Sequence, residues 1–454
     1  MTPLYVHLEG YAGGPVGVLA ANSGIGEFAD GPIFFAYDAF YLASKEPMPL
    51  SISMPLREEP YYREGIAFFE NLLPEGSRLQ TISRMRGVDP SDTLGLLGEI
   101  GLDCPGAISI VSAQERPTKA PGRFPDDYDL ITNADLLKLA ESGIAPLKTD
   151  KKIEFSLAGV QGKAAVLRDQ EGRFHLARGG APSTHIVKLP DRNFAGMVEN
   201  EAFCLDLARE LGLNAIEPKI IELAPDRPAL LVERFDRIAN IGTLGAIEAG
   251  FEIHRLHQED FCQALGLRPS QKYTRRSGPS AEDLLNIEIG NRARFRIRLL
   301  EGLIYNFLIA NSDAHAKNYA LLYPHGTNLP NLAPLYDLLS IAVYPDYHQG
   351  QALAMGAKGR GADVDFAAFN RDSVQRMSER LKMTSNFIEE RIERLARAVL
   401  PKALALREKN PAYKVIALRV ISAIGKQVEL LNTKFGFDIP VDVLDVEEGK
   451  GGWG

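Results

Sequence analysis

Two rhythms of apolar and polar positions divide this chain. Leu4-Tyr5-Val6-His7-Leu8 alternates with period two, and the same alternation recurs over residues 16–19, 32–37 and 50–54. This predicts the strands of a small antiparallel sheet, each burying one face. Residues 68–76 predict a helix closed by Pro74 and Gly76, and residues 94–100 a second apolar helix. From 114 to 125 the pattern lapses into Pro, Lys, Arg and Gly, the composition of a surface linker. Beyond a helical stretch at 134–142, strand-like runs follow at 152–157, 163–167 and 184–190, then a helix over 198–211 and a hairpin pairing 219–223 with 229–235. Helical spacing dominates thereafter. A helix starts at 255–261, another covers 293–311, and 366–400 and 412–431 are helical throughout, while 319–323 and 332–340 read as strands. The expected fold class is α+β, with an N-terminal domain of strands and helices over 1–120, a strand-rich domain over 121–240, a helical domain over 241–446 and a solvated tail at 447–454.

Composition narrows the class. A length of 454 residues with 45% hydrophobic content allows two or three cored domains. No apolar run reaches the roughly 18 residues of a membrane span, and Met1-Thr2-Pro3-Leu4-Tyr5 has no charged or apolar leader character, so a soluble cytoplasmic protein without a membrane partner is expected. Cys104, Cys204 and Cys262 are far apart and odd in number, which fits a reducing compartment and no zinc site. With 51 basic against 59 acidic residues the net charge is -8, which disfavours a direct, nonspecific grip on nucleic acid. Any role at DNA is expected to run through a partner.

The candidate chemistry centres on residues 308–322. An apolar helical run ends there in a polar loop carrying Asp313 and, five positions on, Asn318, before the sequence turns apolar again. A kinase catalytic loop has this layout: its Asp accepts the proton of the attacked hydroxyl and its Asn ligates magnesium, so both project from one loop. Asp337 is the single acid in Leu332-Ala333-Pro334-Leu335-Tyr336-Asp337-Leu338-Leu339-Ser340. A carboxylate in such a run is costly unless paired or holding a metal, which suits a second magnesium ligand; a helix-capping Asp is the alternative.

Upstream, Ala158-Gly159-Val160-Gln161-Gly162 lies between two predicted strands. Glycines there let backbone N–H groups close on phosphate oxygens, although the spacing is not that of a Walker loop and also suits an ordinary hairpin. Lys188 is the internal lysine of the strand at 184–190, comparable with the lysine that neutralises nucleotide phosphates in kinases. Helical spacing puts Glu201 on an otherwise apolar stripe with Cys204, Leu205 and Ala208. It is the candidate ion-pair partner of Lys188, with Glu199 as the alternative and a helix-dipole role as the plain one.

Taken together, these blocks resemble the HipA-type serine/threonine kinase toxins of bacterial type II toxin-antitoxin modules. The resemblance spans nearly the whole chain and rests on Phe68-Phe69-Glu70-Asn71-Leu72-Leu73-Pro74-Glu75-Gly76, Ser156-Leu157-Ala158-Gly159-Val160-Gln161-Gly162-Lys163, His185-Ile186-Val187-Lys188-Leu189-Pro190, Val232-Glu233-Arg234-Phe235-Asp236-Arg237, residues 255–266, Asn311-Ser312-Asp313-Ala314-His315-Ala316-Lys317-Asn318 and the run at 332–340. It implies a two-lobed kinase-like core with ATP and Mg2+ bound between the lobes, Asp313 as base, and Asn318 and Asp337 as metal ligands. It further implies nucleotide contacts from Ala158 through Lys163, from Lys188, Glu233, Arg234 and Phe235, and from His315, Lys317, Asn318 and Tyr336. Ser156 would be an autophosphorylation site. A HipB-like helix-turn-helix antitoxin would carry the DNA contacts, and substrates in such families include aminoacyl-tRNA synthetases. Gly162 departs from the family pattern, which places Glu there, and is expected to loosen the loop. Two readings from other classes compete with the kinase: a nucleotide-binding corepressor module without useful transfer, and a metal-dependent hydrolase using Asp313, His315 and Asp337.

Overall fold

The computed structural model describes residues 2–22, 32–101, 104–117, 119–142, 162–190, 194–239, 252–324, 327–344, 346–347, 349–357, 361 and 364–441. The chain divides into two compact units, one comprising 1–191, 221–269 and 320–333, the other 192–220, 270–319 and 334–454.

In the first unit the early alternation produces a four-stranded sheet in the order Ile33–Tyr37, Gly17–Ala21, Leu4–Leu8, Ile108–Ser112, antiparallel throughout. Leu4, Val6 and Leu8 point to the core while Tyr5 and His7 stay half-exposed, and the register sets Val6 against Ile110 and Leu4 against Leu19. Those facing pairs join Phe35, Phe68, Phe69, Leu96 and Leu97 in one core, each large apolar side chain contributing about 1.5–3 kcal/mol by leaving water. Helix Arg63–Glu70 lies close on the sheet because Gly65 lacks a side chain; a Cβ there would come 3.2 Å from the Phe35 nitrogen.

Three local expectations change in this region. Residues 50–54 form only an isolated bridge between Ser51 and Met54, because the Tyr37 hydroxyl takes up the Leu50 N–H (2.8 Å) and the Met54 carbonyl (2.7 Å). Residues 68–76 span the end of one helix and the start of the next, Gly76–Arg86, so Gly76 opens a helix instead of closing one. The segment at 114–125 is more than a surface linker. Lys119 is buried, donating to the carbonyls of Cys104, Gly106 and Ile108, and Gly122–Arg123 pairs with Glu252–Arg255.

A second sheet of six strands runs in the order Pro218–Ala224, Arg227–Glu233, His185–Lys188, Lys163–Arg168, Phe174–Ala177, Tyr128–Ile131. Helix Asn133–Ser142 covers it, packing Leu136 and Leu139 on Ala164, Val166, Val187 and Leu231. The strand expected at 152–157 lies outside the described residues. Residues 255–261 correct another expectation: Glu252–Arg255 and His257–Asp260 are strands, and the helix begins only at Phe261, where Asp260 and Gln263 form a reciprocal cap. Pairing of His257–Asp260 with Ala320–Tyr323, distant in sequence, overrides the local helical signal.

The second unit is built mainly of helices: Met197–Glu210, Ala281–Leu285, Arg292–Leu308, Arg371–Leu381, Ser385–Lys409 and Lys414–Phe435. Its core interleaves Phe203 and Leu207 with Leu299, Leu300, Ile304, Leu395, Val399, Val420, Ile424 and Val428, all buried. The helix expected over 366–400 breaks at Lys382, which turns left-handed (φ +53°), and Thr384 caps the helix that follows. Residues 332–340 are not a strand. Beyond Leu332 the run is irregular apart from one parallel bridge between Leu335 and Ala215.

Candidate active site

Helix Arg292–Leu308 stops because Ala310 turns left-handed (φ +49°), letting the Asn311 N–H reach back 2.9 Å to the Asn306 carbonyl. The Asn311 side chain then organises the loop, donating to Asn306 Oδ1 at 2.8 Å and accepting from the Asp313 N–H at 3.1 Å. The His315 N–H donates to the Asp313 carbonyl (2.7 Å) and the Asn318 N–H to the His315 carbonyl (2.9 Å), curling the chain into the short turn Ala316–Asn318. That curl brings Asn318 under Asp313: Nδ2 donates to the Asp313 carbonyl at 3.0 Å, which leaves Oδ1 as the atom a cation would take.

Asp313 is surrounded by protein on most sides while its side chain still reaches solvent. The Tyr273 hydroxyl donates to Asp313 Oδ1. Loss of hydration holds the Asp313 carboxyl above the usual range and the negative charge of Asp337 pushes the same way, while Tyr273, Lys272 and Arg275 oppose them. Burial, together with Asp313, raises the Tyr273 phenol, so it stays a protonated donor at neutral pH. His315 is buried edge-on to the Tyr273 ring, 5.0 Å between centroids.

Asp337 adopts φ +57°, a left-handed conformation that costs most residues energy and that Asp tolerates better than most. Its neighbours hold it there. The Tyr336 hydroxyl donates to the Lys317 carbonyl at 2.8 Å, and on the other side the Asn200 amide pairs with the Ser340 backbone through two 3.0 Å hydrogen bonds. The sequence reading passed over Asn200, which sits beside Glu201 on the buried side of helix Met197–Glu210. It also passed over Asn311 and Tyr273. Asn311 had a local signal, an Asn two residues before an Asp N–H it could cap. Tyr273 had none, since nothing short of the fold carries it to Asp313.

In the first unit, Lys188 is buried near the end of its strand, directly opposite Lys163 in the register, so both lysines project from the same face. Gly162 proves tightly constrained: a Cβ there would fall 2.7 Å from the Ala140 carbonyl oxygen, and its own carbonyl accepts from the Leu189 N–H at 2.8 Å. The expected looseness at this position gives way to a lack of room. Glu233 is exposed and Phe235 half-buried. The Arg234 guanidinium is taken up by Asp236, at 3.0 and 2.9 Å. Ser156, Ala158, Gly159, Val160 and Gln161 lie outside the described residues. Lys188 belongs to the first unit and Glu201, buried, to the second.

Asn318 and Asp337 are hard oxygen donors. Among the described residues no group of three or more His, Cys, Asp or Glu side chains forms a closed metal cage. An open site with one carboxylate and one amide oxygen fits magnesium, which keeps water and phosphate oxygens as its remaining ligands, and the repulsion between Asp313 and Asp337 is what a cation would relieve.

Residues 155–403 match the family described as the HipA-like C-terminal domain, and residues 11–111 match the HipA N-terminal domain. The chain belongs to the HipA family. Its relatives include Y4mE of Sinorhizobium fredii, provisionally named a kinase, at 36% identity over 353 residues, 75% of this chain and 80% of that protein. The serine/threonine-protein kinase toxin HipA of Shewanella oneidensis is 30% identical over 379 residues, 79% of this chain and 80% of the toxin. A solved structure of HipA from Shewanella oneidensis MR-1, in complex with HipB and its operator DNA, matches with a TM-score of 0.74 and 26% identity over 96% of this chain and 98% of that one. The α+β HipA fold anticipated from the sequence blocks is therefore the fold of this HipA-family chain. No helix among its described residues is long and apolar enough to cross a membrane.

Proposed function

We propose that this HipA-family chain is an ATP-dependent serine/threonine protein kinase and the toxin partner of a HipB-like antitoxin. The observation that supports it most is the convergence on one loop: the Asn318 amide folded onto Asp313, and Asp337 close enough to perturb the Asp313 carboxyl. Asp313 Oδ1 is held by Tyr273, so Oδ2 is the oxygen that takes the proton as a Ser or Thr hydroxyl attacks the γ-phosphorus and ADP departs. Magnesium, held by Asn318 and Asp337, would neutralise phosphate charge during that transfer. Lys188 and Lys163 supply positive charge to the phosphates, and Ala158, Gly159, Val160, Gln161 and Gly162 are the further candidates for phosphate contact in this reading. Glu233 and Phe235 flank the adenine, Arg234 contributes through its backbone, and His315, Lys317 and Tyr336 shape the phosphate end. Ser156 is a site of autophosphorylation.

The protein target belongs to the translation machinery in this reading, an aminoacyl-tRNA synthetase being the family precedent. The antitoxin, of helix-turn-helix type, makes the operator contacts; the complex of the Shewanella oneidensis relative and the net charge of -8 both support that division. Cytoplasmic location is supported by three cysteines that are all buried and far apart in the chain. Incubation of the full chain with γ-labelled ATP, magnesium and a mixed protein pool tests the reading. Label on protein Ser or Thr is expected. Phosphate release alone would favour the hydrolase, and nucleotide binding without either would favour the corepressor module.

A further inference from the structure

The loop that carries Tyr273 to Asp313 also gathers three cations. Lys272 Nζ lies 5.6 Å from the Tyr273 ring centroid, and the guanidinium carbons of Arg275 and Arg276 lie 4.1 and 5.4 Å from it. Because the hydroxyl of that ring is bonded to Asp313, all three charges fall within about 10 Å of the base, one Debye length at moderate salt. Arg275 Nη1 is buried and has no hydrogen-bond acceptor among the described residues. Neither arginine forms an ion pair with a described carboxylate, and Arg276 is exposed.

This display is built into the backbone. The Thr274 N–H donates to the Ala352 carbonyl at 3.0 Å, and its Oγ1 accepts from the Ala354 N–H at 3.0 Å while donating to the Pro279 carbonyl. Gly278 closes the turn so tightly that a Cβ would sit 1.8 Å from the Gln271 carbonyl oxygen. The loop backbone that carries these cations is therefore fixed by the chain's own hydrogen bonds.

We propose that Arg275 and Arg276, with Lys272, select acceptor protein segments that carry a carboxylate close to the phosphorylated hydroxyl. This rests on the kinase reading above for what is transferred, and adds the chemical class of the acceptor. Arg276 is exposed 5.4 Å from the centroid of the ring whose hydroxyl holds Asp313, within reach of a peptide whose hydroxyl meets that carboxylate. Arg275 offers a desolvated donor, where a charge-assisted bond gains most. In the kinase reading the nucleotide phosphates have their own cations in Lys163 and Lys188, which face each other in the strand register.

The test uses the full-length protein and two serine-centred peptides, identical except for Asp or Asn on both flanks of the serine. The wild-type protein should transfer phosphate to the Asp peptide with a kcat/KM about tenfold higher or more, and bind it tighter by anisotropy. Replacing both arginines by Gln should bring the ratio toward unity, while replacing both by Lys should keep most of it. Equal transfer to both peptides by the wild-type protein would overturn the proposal and leave the kinase reading standing. Asp-selective binding lost in the Gln variant but without any transfer would uphold the anion site and count against the kinase reading. A Gln variant that loses affinity for ATP, or for a single-stranded RNA oligonucleotide, with the peptide ratio intact would also overturn it.

Discussion

Two short arginine-bearing segments of this chain resemble each other in sequence and differ in how their charge is met. In Arg234-Phe235-Asp236-Arg237, Asp236 receives both guanidinium groups, Arg234 at 3.0 and 2.9 Å and Arg237 at 2.7 Å, and the Gln258 amide at 3.2 Å. All three charged side chains are almost fully buried. Burial alone would raise the Asp236 carboxyl, and the two arginines outweigh it, holding it well below the usual carboxylate range. In Lys272-Tyr273-Thr274-Arg275-Arg276 the arginines surround one aromatic ring, and no described carboxylate pairs with either. A cluster whose charges are saturated serves the fold. One that keeps cations over beside a solvent-reaching carboxylate is arranged for something that arrives.

That contrast assigns losses of activity to one segment and losses of stability to the other. The largest effect belongs beside the unsaturated loop: Asp313→Asn, which can still accept from Tyr273, should lower phosphate transfer by about 10² to 10⁴ with a near-native thermal midpoint. A variant that kept full transfer, or failed to fold, would remove the base from the picture. At the saturated cluster, Asp236→Ala strands two buried guanidinium groups and should destabilise the protein by about 3–5 kcal/mol in urea unfolding. A loss below about 1 kcal/mol would mean that water already serves those arginines.

A third carboxylate, this one fully buried, sharpens the comparison because it has hydrogen bonds and no ion pair with a described cation. Glu259 accepts from Ser51 Oγ (2.5 Å), the Ile52 N–H (3.1 Å) and the Tyr323 hydroxyl (2.5 Å), and burial outweighs these donors, pushing its pKa up to about 7. Its folded value lies above the ordinary 4.5, so between those two pH values the folded state binds more protons than the unfolded state. Stability from this group therefore falls as pH rises through that window, by about 3 kcal/mol. Urea titrations across the window should show the decline in the wild-type protein and its flattening in Glu259→Gln; parallel curves would refute the assignment. The smallest effect is expected at Arg276→Gln, whose stability should stay within about 0.5 kcal/mol of wild type, since an exposed cation beside an aromatic ring and paired with no described carboxylate contributes little.

Much of the candidate site's local geometry could be read one segment at a time. The spacing of Asp313 and Asn318 lies within a single loop whose closure depends on neighbours, Asn306 and Asn311, only a few residues away. The strands at Leu4–Leu8 and Ile33–Tyr37 were legible because a sheet with one buried face imposes a period of two on its sequence. Residues 255–261 misled because their structure depends on a partner strand at Ala320–Tyr323, and local propensity is worth less than that pairing. Gly162 misled for a related reason. Its meaning lies in the Ala140 carbonyl that passes over it, and adjacent sequence does not carry that contact.

The sequence by itself determined the α+β class, most helices and strands, the HipA likeness and the closeness of Asp313 and Asn318 on the central loop. These follow from periodicity and from spacings short enough for the backbone to enforce. Only the tertiary structure decided that Tyr273 holds Asp313, that Asn200 fastens the segment carrying a left-handed Asp337, and that one arginine cluster shares a buried carboxylate while the other pairs with no described carboxylate. Each is a contact between residues far apart in the chain. Whether a buried charge meets its counter-charge depends on where the packed core brings those distant segments, which no local pattern encodes.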